Sequence, residues 1–99
     1  MASDMFEQLV QISRRALADG QHSVACHALF AAYHCAQVEK SSEHLLQVEE
    51  LAGEYLRQID VDAPEYEHSS HSCAERGQVN VFTAMAHQAG ITADCLKQS

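Results

Sequence analysis

The chain has 99 residues, 46% of them hydrophobic, with one proline, four glycines and no tryptophan; this describes one small globular domain and excludes two. Its formal charge of −8 comes from fourteen acidic against six basic residues, and residues 39–67 hold nine of the acids against only Lys40 and Arg57, a net −7. Nucleic-acid backbones and anionic membrane surfaces are bound by neutralising Lys and Arg, so this balance argues against both as partners.

Residues 4–18 place Met5, Leu9, Ile12 and Ala16 at steps of four, three and four, with Phe6 and Leu17 widening the stripe. This spacing predicts an amphipathic helix. Asp4, with Glu7 three residues on, is the expected start, and Asp19-Gly20 the expected end, because glycine accepts positive φ without a Cβ penalty. A second helix is expected over 22–40. It mixes small residues (Ala25, Cys26, Ala28, Ala31, Ala32, Cys35, Ala36) with larger ones (Val24, Leu29, Phe30, Tyr33, Val38), and apolar residues fall on more than one side. That pattern predicts a central helix contacting at least two others. Its most apolar stretch, 24–38, is too short and too polar to span a bilayer. The first residues lack the basic start and apolar stretch of a secretion signal, which leads us to expect a cytoplasmic protein with reduced thiols.

Ser41-Ser42 can cap a third helix over about 43–60, in which Leu45, Val48, Ala52, Tyr55 and Ile59 step by three and four. Residues 60–71 contain the single proline and little apolar periodicity, so they read as the chief loop. A fourth helix is expected to start at Ser72, with Glu75 completing a capping box. Val79, Phe82, Ala86 and Ala89 would form its stripe and Gly90 its end, followed by a short turn capped by Thr92 and running through Leu96.

The first two helices resemble a tetratricopeptide-type helical hairpin over residues 9–32. Leu9, Ile12, Ser13 and Ala16 occupy the first-helix positions. Gly20, Ala25, Leu29 and Ala32 occupy the turn glycine, the small crossing residue, the large residue and the alanine of the second. The resemblance implies an antiparallel hairpin of the kind that, stacked in arrays, forms protein-binding surfaces. The expected fold is therefore all-α, a compact bundle of four main helices whose first two form such a hairpin.

Seven histidines and four cysteines raise the question of a metal. No CxxC or HExxH spacing occurs, but His68-x2-His71-x-Cys73 offers three donors of the types zinc accepts, and His22 with Cys26 offers two, one turn apart. His68, His71 and Cys73 are the candidate metal ligands, with zinc the candidate ion. Catalytic signatures such as GxSxG or a glycine-rich phosphate loop are absent from the sequence. The expected function is a non-catalytic protein-interaction or assembly module, self-associating as a homodimer because the second helix has apolar surface to cover. The rival expectation is a metal- or small-ligand-binding helical protein using His and Cys side chains.

Overall fold

A computed structural model describes residues 2–98, with side chains from Met5 to Gln98. Five helices follow one another: α1 (Ala2–Ala18), α2 (His22–Glu39), α3 (Ser42–Asp62), α4 (Ser70–Arg76) and α5 (Val81–Gln98). The Cα atoms extend over 40 × 27 × 15 Å. Two packed helices are about 14 Å deep between their outermost Cα atoms, given a Cα radius of about 2.3 Å and an interaxial distance of 8–10 Å. The bundle is thus two helices deep, and every long helix keeps one side in solvent.

Three helices end by the same device. At Gly20, Lys40 and Gly77 the chain turns left-handed, with φ of 77°, 54° and 65°. In each case the next amide reaches back to the carbonyl five residues earlier: Gln21 to Ala16, Ser41 to Ala36 and Gln78 to Cys73. This closure satisfies carbonyls that a helix end leaves open. The connections between α1 and α2 and between α2 and α3 are only two or three residues long, which makes those neighbours antiparallel. α2 packs on α1, α3 and α5, and α5 lies mainly along α3, so the expected central role of the second helix holds. Ser41 caps α3 as expected, accepting from the His44 amide at 3.2 Å, and the stripe from Leu45 to Ile59 is buried.

α1 departs from expectation by one residue. Its buried line is Phe6, Val10, Ser13 and Leu17, together with Ala16, whereas Met5 and Ile12 are 59% and 52% exposed. Both lines have the same four-three-four spacing, and periodicity favours the one without a serine. Tertiary structure reverses that choice by giving the serine a partner. The Tyr55 hydroxyl lies 2.6 Å from Ser13 Oγ, and Ser13 donates in turn to the Val10 carbonyl at 2.7 Å. Phe6, fully buried, stacks on His44 with ring centroids 4.0 Å apart. Together these contacts fix the rotation of α1 against α3. The cap expected of Asp4 lies outside the described side chains.

The C-terminal third also needs correction. The expected fourth helix is two helices, α4 and α5, separated at Gly77, and Val79 is 82% exposed in the gap. Ser69 caps α4 in place of Ser72, accepting from the Ser72 amide at 3.1 Å. Asn80 opens α5, its Oδ1 accepting from the Phe82 and Thr83 amides at 2.9 and 3.1 Å. Gly90 does not end α5. A Cβ there would run into the Glu49 carboxylate of α3, so this glycine marks a close helix crossing. Thr92 caps no new turn; its hydroxyl donates to the Gln88 carbonyl within the continuous helix at 2.9 Å.

The Tyr55–Ser13–Val10 chain predicts an asymmetry between its two ends. Tyr55→Phe removes one buried hydrogen bond and should cost about 1 kcal/mol, whereas Ser13→Ala leaves the buried Tyr55 hydroxyl without a partner and should cost about 1–3 kcal/mol. Restoring balance in the double variant should recover part of the Ser13→Ala loss. Urea unfolding of the four proteins measures all three differences.

Candidate functional site

The three candidate metal ligands come from the segment joining α3 to α5, and each is engaged by its surroundings. His68 sits edge-on to Tyr66, with centroids 5.4 Å apart, and its carbonyl accepts from Asn80 Nδ2 at 2.8 Å. His71 projects into solvent and faces Glu75 one turn on, Nε2 to Oε1 3.1 Å, both side chains 67% exposed. Cys73 is buried; its thiol donates to the Glu67 carbonyl at 3.6 Å and accepts from Asn80 Nδ2 at 3.8 Å. Among the described residues, no three His, Cys, Asp or Glu side chains gather where a metal ion could be held. His22 and Cys26 occupy different surroundings. His22 packs against Tyr66, with centroids 5.4 Å apart, while Cys26 enters the core. Burial pushes the Cys26 thiol up, and the nearby Glu67 carboxylate adds to the effect.

These contacts make the linker a structural clamp. Asp60 accepts from the Ser70 amide and hydroxyl at 2.8 and 2.7 Å. Ser69 and Ser72 both donate to the Pro64 carbonyl, and Arg76 donates to the Glu67 carbonyl. Tyr66 reaches across to Ser23 at the start of α2. Serine clusters in polar loops commonly satisfy backbone in this way, and such bonds leave the segment little freedom to rearrange around a ligand.

The surface that stands out is elsewhere. Residues 20–38 and 77–93 contain no Asp, Glu, Lys or Arg, so α2 up to Val38 and the first thirteen residues of α5 are without formal charge apart from histidine. The fold brings these two stretches together. Between them lies an open trough of about 400 Å³, lined by Phe30, Tyr33, His34 and Gln37 from α2 and Val81, Ala84, Met85 and Gln88 from α5. Phe30 stacks on His34, with centroids 4.9 Å apart and planes within 6°. Gln37 donates to the Tyr33 hydroxyl at 2.9 Å and lies 3.1 Å from His34 Nδ1. Burial raises the Tyr33 phenol, with the Gln37 hydrogen bond opposing it.

Phe30 at the trough is 39% exposed, and beyond the trough Val24 and Val38 of α2 are 46% and 83% exposed. A carboxylate-rich protein with an uncharged, partly aromatic side has the composition of a contact surface, because the core of an interface is depleted in charge and enriched in aromatic residues. The signal was present in the sequence as two intervals without charge. It was obscured because they lie 38 residues apart and only the fold makes them neighbours.

Comparison with models of known protein families, with curated proteins and with solved structures returned no match. No described helix is long and apolar enough to cross a membrane.

The surroundings of the four cysteines predict an order of modification. Cys95 is exposed, Cys35 is half-buried, and Cys26 and Cys73 are buried. Alkylation under native conditions should label Cys95 first and Cys26 among the last, since a raised thiol pKa lowers the reactive thiolate fraction. Peptide mass mapping at successive times checks the order, and labelling of Cys26 as fast as Cys95 would contradict it.

Proposed function

We propose that the protein is a non-catalytic interaction module that binds another protein through the uncharged side formed by α2 and α5. The observation that carries this reading is that the α2–α5 side has exposed apolar residues and no formal charge. All the Asp, Glu, Lys and Arg residues lie outside the two stretches that build the trough, and those stretches leave Phe30, Val24 and Val38 in water. Patches of this kind are used in recognition more often than they are left bare, since exposure alone brings no stability and invites aggregation. The side-chain chemistry on this surface is that of packing and hydrogen bonding. A cytoplasmic setting, where reduced thiols are the rule, is part of this reading.

The test uses the trough itself. A photo-cross-linking amino acid at Gln88, on the trough edge, should capture a defined protein species in cells, while the same group at Glu54 on the acidic side of α3 should not. Ala84→Glu places a carboxylate in the trough at an exposed position and should abolish the Gln88 product. It should shift stability by no more than about 0.5 kcal/mol. Equal cross-linking from both positions, or a product indifferent to Ala84→Glu, would overturn the reading.

A second reading, binding of a small apolar ligand, has the trough volume in its favour, since about 300–1,000 Å³ is usual for ligand sites. Saturable chemical-shift changes confined to the residues of the trough on adding such a ligand would support it.

A further inference from the structure

The exposed line of α2 runs Val24, His27, Ala31, His34, Val38, at steps of three, four, three and four. His27, Ala31 and His34 are exposed with the two valines, so the line is a real surface feature. A three-four repeat is the spacing with which one helix lies along another. Read in either direction, the order of residue types is the same: valine, histidine, alanine, histidine, valine. In an antiparallel two-fold pairing each residue at position n from one end faces the residue at position n from the other. This line is therefore suited to pair with itself in antiparallel orientation.

We propose that a second copy of this chain docks on α2, antiparallel and related by a two-fold axis passing beside Ala31. The proposal rests on the interaction reading above and assigns its partner. Across such an axis Val24 meets the second copy's Val38, each His27 lies near the opposite His34, and Ala31 meets its own equivalent. The methyl side chain at the centre lets the two helices approach closely, while Phe30 on each side covers the flank toward α5.

Charge selects the same partner and the same orientation. Two chains of −8 repel over most of their surfaces, and a two-fold axis sets every charge near it against its own like. The α2 face has no formal charge to oppose itself. Of the charged groups beyond its ends, Asp19, with Arg15 beside it, and Lys40, next to the inward-drawn Glu39, have opposite sign where they would meet. Asp19 lies with Val24 in one surface depression, which also includes Ile12 and Arg15 of α1. Lys40 stands two residues past Val38 and is exposed. Antiparallel pairing brings Lys40 of each copy toward Asp19 of the other, twice over. Glu39 does not compete, because its carboxylate is drawn inward to His44 and Cys35. A parallel pairing would instead set Lys40 against Lys40.

The untagged full chain should sediment at twice 10.9 kDa at micromolar concentration. Ala31→Glu should raise the dissociation constant by about a hundredfold or more, since a like-charge pair at the axis opposes association, with helicity unchanged and a melting temperature that no longer rises with protein concentration. Ala31→Cys, in a background carrying Cys95→Ser and Cys35→Ser, should form a disulfide-linked dimer on oxidation. Glu54→Cys in the same background should not. Lys40→Asp should weaken the dimer and Asp19→Lys in addition should restore it.

A monomeric mass at every concentration overturns the proposal; the Gln88 cross-linking result then decides whether the interaction reading stands with another protein as partner. A dimer that survives Ala31→Glu and does not cross-link through Ala31→Cys overturns it as well, by placing self-association on another face.

Discussion

The alanine side of α2 is the constraint on which the other helices depend. Ala25, Ala32 and Ala36 are fully buried, with Leu29 the one large residue fully buried among them, and short side chains let helix backbones approach one another closely. α1 and α3 can therefore both lie close against α2, and touch each other, within a bundle two helices deep. The larger residues are supplied by the neighbours: Phe6 from α1, Leu45, Val48 and Ile59 from α3, Phe82 from α5. Enlarging any of the three alanines would push a neighbour outward, and overpacking of this kind typically costs about 1–3 kcal/mol.

Much of this arrangement was legible in the sequence. The all-helical class, the three-residue turn at Gly20, the cap at Ser41 and the buried line of α3 all follow from local chemistry. The failures have specific physical origins. The buried line of α1 includes Ser13, a polar residue made apolar in effect by Tyr55, forty-two positions away. Gly77 and Gly90 have the same side chain and opposite roles. At Gly77 the backbone is left-handed with nothing nearby, while at Gly90 it is helical with Glu49 against it. A glycine that ends a helix and one that admits a neighbour cannot be told apart until the neighbour is known.

The same distinction governs the candidate sites. His68, His71 and Cys73 are close in sequence and have donor chemistry in common, yet their side chains serve a ring contact, an exposed ion pair and a buried thiol network. Proximity along the chain suggested a site, and the turn into α4 dispersed it. The trough between α2 and α5 has the reverse history. Its residues are individually ordinary and far apart in sequence, and their common property is an absence of charge that becomes spatially meaningful only after folding.

The order in which the helices touch has a kinetic consequence. α1 meets α2, α2 meets α3, and α3 meets α5 after the short α4 excursion, so the principal pairings join elements adjacent or nearly adjacent along the chain. Loop-closure entropy is small for such pairings, and domains built from them belong to the fast end of folding rates. The longest closure brings α5 onto α3 across the segment from Ala63 to Asn80. That segment carries its own hydrogen bonds, from Ser69 and Ser72 to Pro64 and from Asn80 to His68, so its ends are drawn together by local contacts as well as by the packing of α5. A linker that folds on itself thus reduces the search that its two flanking helices must make.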